Sequence, residues 1–109
     1  MWSVVYLTDA ELERDKLPAH ERQALYNAVQ KLKRIGPVLP YPHSSDVRGV
    51  SGLRELRPRR GRGPWRALYR QMGDIFVIAA VCPEAMVDER EFKKAGERAL
   101  KRLEDLEEE

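Results

Sequence analysis

The chain has 109 residues, 42% of them hydrophobic and 35% charged, with 20 Lys+Arg against 18 Asp+Glu and a net charge of +2. That length predicts one domain, residues 1–109, large enough to close a core without disulfides or metal. A lone cysteine, Cys82, excludes a disulfide framework and a cysteine-built zinc site and predicts a reducing, cytoplasmic setting, and no apolar run approaches the ~20 residues of a membrane span.

Residues 2–7 (WSVVYL) are aromatic and β-branched and predict a first strand. Thr8-Asp9-Ala10-Glu11 reads as a T-x-x-E capping box that opens a short helix. Pro18 suits the first turn of a second helix, whose apolar stripe is Leu25, Ala28, Val29, Leu32 and Ile35. Gly36-Pro37 stops it, and residues 37–52, rich in proline, serine and glycine, predict a loop. Residues 53–57 (LRELR) read as a strand and 58–64 (PRRGRGP) as a flexible basic loop. In 65–71 (WRALYRQ), alternation sends Trp65, Ala67 and Tyr69 to one face and Arg66, Leu68 and Arg70 to the other. Gly73-Asp74 offers a tight hairpin turn, and 75–81 (IFVIAAV), apolar throughout, predicts a central strand covered on both faces. Asp88-x-x-Glu91 caps a last helix with Phe92, Ala99, Leu103 and Leu106 on its apolar stripe. Its acidic end, about residues 104–109, opposes the helix dipole and is expected to fray. The predicted class is α+β, in the order β-α-α-β-β-β-α.

The small net charge hides segregation. Arg48 to Arg70 hold eight arginines and one acid, Glu55, whereas Glu84 to Glu109 hold ten acids and six bases. A basic block of this kind is an electrostatic footprint for phosphates.

The run GLRELRPRRGRGPWRALYRQMGDIFVIAA resembles the signature of RelE/HigB-type toxins, in particular their phage-derived, HigB-like branch. Gly52-Leu53-Arg54-Glu55-Leu56-Arg57 matches a "G-L-x-E-L-R" strand, and Trp65-Arg66-Ala67-Leu68-Tyr69-Arg70 matches "x-R-x-L-Y-x". The resemblance implies a twisted, mainly antiparallel sheet packed by two N-terminal helices, with a C-terminal helix. It implies a toxin of a type II toxin–antitoxin system: an mRNA endoribonuclease needing no metal or other cofactor, cutting mRNA on the ribosome or free, with the ribosome-dependent mode expected. Its antitoxin partner would be a small helix-turn-helix protein encoded next door. It also makes Arg66 the catalytic arginine. The chain departs from the branch after its last strand. There a lysine-rich segment is usual, and here Val81-Cys82-Pro83-Glu84-Ala85-Met86 carries no base.

Metal-independent RNA cleavage needs a group to accept the 2′-hydroxyl proton and cations to stabilise the phosphorane. Arginine suits the second role, since its planar fork matches phosphate oxygens. The candidate catalytic residues are therefore Arg66, Arg57 and Arg70, converging on one sheet face, with His43 as the proton-transfer group. Glu55 alternates onto Arg57's face and reads first as an ion-pair partner, second as a proton acceptor. Arg48, Arg54, Arg59, Arg60 and Arg62 are the candidate RNA-binding residues, the last three on a mobile arm, with Lys93 and Lys94 standing in for the missing basic segment. Trp65, Tyr69 and Cys82 read as core and His20 as exposed. Two other functions are open: a ParE-like toxin acting on gyrase, and a catalytically weak module that only binds its antitoxin.

Overall fold

The computed structural model describes residues 1–108. Five strands and three helices follow in the order β1 (Ser3–Tyr6), α1 (Thr8–Asp15), α2 (Ala19–Ile35), β2 (Ser44–Asp46), β3 (Arg54–Leu56), β4 (Trp65–Met72), β5 (Ile75–Pro83) and α3 (Glu89–Glu107). Short 3-10 turns, Gly36–Val38 and Pro58–Gly61, follow α2 and β3. The sheet order is β1-β5-β4-β3-β2, with β1 parallel to β5 and every other pair antiparallel. The mixed α+β class with two N-terminal helices and a C-terminal helix is the one the sequence predicts.

Helices cover both faces of the sheet. Leu25, Val29 and Leu32 of α2 share a core with Leu56, Ala67, Tyr69, Phe76, Ile78 and Val81. Ala95, Ala99 and Leu103 of α3 share the other with Leu53, Leu68, Val77, Ala79, Ala80 and Cys82. Each large aliphatic side chain so enclosed stabilises the fold by about 1.5–3 kcal/mol. The even-numbered residues Phe76 and Ile78 face α2, yet so does Val81. The change of parity comes from a bulge: Leu68 pairs with Ala80 and Tyr69 with Ile78, so Ala79 is the extra residue. Gly73, at φ +67°, makes the two-residue turn between Met72 and Ile75.

Four details differ from the sequence reading. A strand, β2, lies inside the predicted loop 37–52, pairing Ser44, Ser45 and Asp46 with Leu56, Glu55 and Arg54. The capping box at Thr8 does not form: Leu7 occupies the cap position and no side chain bonds there, whereas Asp88 does accept from Glu91 N at 3.0 Å. The segment 58–64 is no floppy arm, because its first half is a 3-10 turn tied to α2. Finally, α3 is helical through Glu107, whose carboxylate lies 3.5 Å from Arg70 Nη1; Glu109 lies outside the described residues. No helix is long and apolar enough to cross a membrane among the described residues.

Candidate functional site

Two neighbouring regions draw on the basic block. The first is built where β3 and β4 run side by side and the chain leaves β5. Alternation along β4 turns Arg66 away from α2, as predicted, but its side chain is only 1% exposed. Nε donates to Glu55 Oε1 (3.1 Å), and Nη1 donates to the carbonyls of Gly63 (2.7 Å) and Trp65 (2.9 Å). Nη2 donates to Gly61 O (3.1 Å) and Glu84 Oε2 (2.6 Å). A guanidinium has five N–H donors, and here all five are engaged. Burial of the charge is offset by two carboxylates and three carbonyls.

Glu55 Oε1 also accepts from Arg57 Nη1 at 3.0 Å, so one carboxylate oxygen bridges the two arginines. This is the ion-pair role read for Glu55. Arg57 Nε donates to Pro42 O (3.0 Å), its guanidinium stacks over the Tyr41 ring (5.1 Å to the centroid), and its Nη2 has no hydrogen-bond partner among the described residues. The next turn accommodates it tightly: a Cβ on Gly61, at φ +88°, would fall 2.7 Å from Arg57 Nη2.

Arg70 does not join this pair. It stands further along β4, with Nε on Gly52 O (3.2 Å) and Nη1 against Glu107 of α3. The expected three-arginine convergence is therefore a two-arginine pair closed by Glu55 and Glu84. A sheet face alone does not bring residues four positions apart to one point.

The second region is a groove of about 340 Å³ between α2 and the Pro58–Gly61 turn. Its ionisable lining is His20, Lys31, His43, Arg57, Arg59 and Arg60, with no carboxylate. Lys31 Nζ lies 3.4 Å from His43 Nδ1. Partial burial, then the Lys31 and Arg60 cations, hold the His43 pKa below the ordinary histidine range, so the ring is neutral at pH 7. His43 thus faces α2 and Lys31; it does not converge on Arg66. Arg59 and Arg60 both adopt left-handed backbone (φ 56° and 60°), which costs about 1–2 kcal/mol per residue. Arg59 anchors that turn, donating Nη1 to Glu21 (2.5 Å) and Nη2 to His20 O (3.3 Å). Arg60 has no carboxylate partner among the described residues.

The remaining candidates scatter. Arg54 pairs with Asp46 (2.6 Å) and donates to Ser44 Oγ (3.0 Å), which in turn meets Tyr69 OH at 2.5 Å. Arg62 is exposed and reaches only Arg59 O. Arg48 and Lys93 line a cleft beside α3, while Lys94 is exposed next to it. Tyr69 and Cys82 are buried, Trp65 packs on the α2-side core, and His20 is exposed. Burial pushes the Cys82 thiol up to about 12. Lys31, Tyr41 and Glu84 were not singled out from the sequence. A signal existed for Glu84 alone, as the acid standing where bases were expected.

The family model described as "Phage derived protein Gp49-like (DUF891)" matches residues 13–82. No curated protein matches the chain. Among solved structures, it is similar to a mutant E. coli RelE toxin in the free state (TM-score 0.64, 16% identity, covering 89% of this chain and 96% of that one). It is also similar to a chain of the RelBE2 toxin–antitoxin complex from Mycobacterium tuberculosis (TM-score 0.60, 25% identity, 76% and 98% covered). A third is from the RelE–RelB complex of Pyrococcus horikoshii (TM-score 0.56, 18% identity, 75% and 93% covered).

Proposed function

The chain belongs to the phage-derived Gp49-like family, and from that premise we propose that it is the toxin of a toxin–antitoxin pair, an mRNA endoribonuclease neutralised by a cognate antitoxin. Support for the pairing comes from the similar chains solved as toxin–antitoxin complexes. The observation that carries the chemistry is the Glu55 oxygen shared by Arg57 and Arg66.

In this reading the RNA phosphate lies against the Arg57–Arg66 pair. The 2′-hydroxyl attacks its own phosphodiester and loses its proton to Glu55, or to neutral His43 across Arg57. The guanidiniums stabilise the charge that builds on the phosphorane, and the P–O5′ bond breaks as the 5′-oxygen takes a proton from water, leaving a 2′,3′-cyclic phosphate. Arg57 Nη2 is ready for this. Arg66 is not, because Glu84 and backbone carbonyls engage its donors, so Glu84 must swing away when RNA or the ribosome arrives. The step uses no metal. The test is incubation of purified protein with mRNA, with and without ribosomes, for the wild type, Glu55→Gln and His43→Gln. Cleavage lost in one of the two variants identifies the proton acceptor, and no cleavage by the wild type removes the enzyme reading.

The closed state of Arg66 favours a second reading, a module that binds its antitoxin without cutting RNA. Growth inhibition unchanged by Arg66→Lys, alongside absent cleavage, would support it. Inhibition of DNA supercoiling by gyrase would instead support the ParE-like alternative.

A further inference from the structure

We infer that the groove between α2 and the Pro58–Gly61 turn is a binding site for single-stranded nucleic acid, in which Lys31, Arg57 and Arg60 hold backbone phosphates and Tyr41 stacks a base. The inference deepens the toxin reading by placing the strand, and it concerns binding, not cleavage.

The groove is a concave surface lined by cations and histidines with no carboxylate. This is unusual in a chain with 18 acids. Five of the eight arginines between Arg48 and Arg70 have found a carboxylate. Lys31 and Arg60 have none among the described residues, and Arg57 keeps Nη2 without a partner. Like charges gathered this closely repel, and after burial the Lys31 and Arg60 cations add to what keeps His43 neutral. An anion in the groove relieves that repulsion.

The backbone points the same way. The turn that carries Arg60 holds two successive left-handed non-glycine residues and is kept against α2 by the Arg59–Glu21 pair. Strain of this sort persists where the surroundings enforce it, and here its product is one wall of the groove. Glu21, buried to 7% exposure, serves to fix the wall and leaves the floor uncompensated.

Tyr41 selects the class of anion. It is 71% exposed, and its ring lies under the guanidinium of Arg57, which lines the groove. A basic groove beside an exposed aromatic ring is the arrangement that tracks a strand's backbone while stacking its bases. A duplex keeps its bases stacked on one another and has none to offer.

The test is fluorescence anisotropy of the full chain with a labelled 2′-O-methyl single-stranded oligonucleotide. It lacks the nucleophile, so binding is read even if the protein cuts RNA or fails to. Lys31→Ala/Arg60→Ala is expected to weaken binding about tenfold and to lower the salt slope by roughly 0.7 per lost contact. Tyr41→Ala is expected to cost about fivefold or more, with Tyr41→Phe restoring it. Lys101→Ala, which removes an exposed charge on α3, is the control and should leave binding near wild type. Competition by unlabelled single-stranded RNA or DNA supports the site, and its relative strength identifies the natural sugar. The inference is overturned if the double variant behaves like the Lys101→Ala control, or if duplex RNA competes better than either single strand.

Discussion

Arg66 and Arg60 come from the same arginine-rich stretch and end in opposite circumstances. Arg66 is enclosed, with every donor engaged and two carboxylates against it. Arg60 stands on a left-handed turn beside Lys31 and His43 with no acid to meet it. The difference lies in what the fold brings back to each. The exit from β5 delivers Glu84 to Arg66, 18 residues away in sequence. The acids nearest the groove are taken by Arg59 and Arg57, as Glu21 and Glu55, and none reaches Arg60 or Lys31 among the described residues. Arginine density alone therefore does not mark an anion site. The informative quantity is the charge left over once the folded chain has paired its own.

The sharpest way to break this contrast is to remove Arg66. Arg66→Ala leaves Glu84 unpaired and Glu55 with Arg57 alone in a partly buried site, and we expect a loss of about 3 kcal/mol in urea unfolding. Arg66→Met, which fills the volume, still leaves Glu84 unpaired and should recover little of it. A loss below about 1 kcal/mol would mean that the network is not structural. Next comes Arg59→Ala, which cuts the turn from α2 and leaves buried Glu21 with only exposed His20 nearby. We expect about 1–2 kcal/mol, tempered by the 41% exposure of the Arg59 side chain. In the groove itself, Lys31→Ala should change stability by no more than about 0.5 kcal/mol, or raise it slightly, because the lysine faces other cations. A large loss there would contradict the uncompensated charge.

The smallest effect concerns pH. His43 has a folded pKa below its unfolded value of about 6.5, so the unfolded chain binds the extra proton first. Stability from this residue is full above about pH 6.5 and falls as the pH drops toward the folded pKa. His43→Gln should flatten that part of the stability curve, measured by thermal melts between pH 7.5 and 5.5. An unchanged slope would show that His43 is not held neutral.

Much of the architecture was legible. The alternation of Trp65, Ala67 and Tyr69 gave the face of β4, and the unbroken apolar run from Ile75 gave β5 its central place. β2 was not legible because Ser44-Ser45-Asp46 has no apolar alternation; Ser44 is buried through its bond to Tyr69 OH, not through hydrophobicity. At the site, the pairing of Glu55 with an arginine was readable from strand periodicity, whereas Arg66 was singled out by the resemblance of Trp65-Arg66-Ala67-Leu68-Tyr69 to a family motif. The clamp on Arg66 was not, because it depends on how the chain turns after Pro83. Lys31 was hidden as one polar residue on the flank of α2, and its meeting with His43 is a tertiary fact. The mobile-arm reading of 58–64 failed because glycine and proline content does not reveal an ion pair 38 residues distant in sequence.

The central claim is that Arg66 serves RNA cleavage once Glu84 releases it. The most direct measurement is the rate of mRNA cleavage on ribosomes by the wild type, Arg66→Lys and Glu84→Ala, each checked for native circular dichroism. The account predicts that Arg66→Lys, which keeps the charge and loses the fork, slows cleavage by about a hundredfold, whereas Glu84→Ala speeds it. Equal rates for the wild type and Arg66→Lys, or a Glu84→Ala variant slower than the wild type, would contradict it.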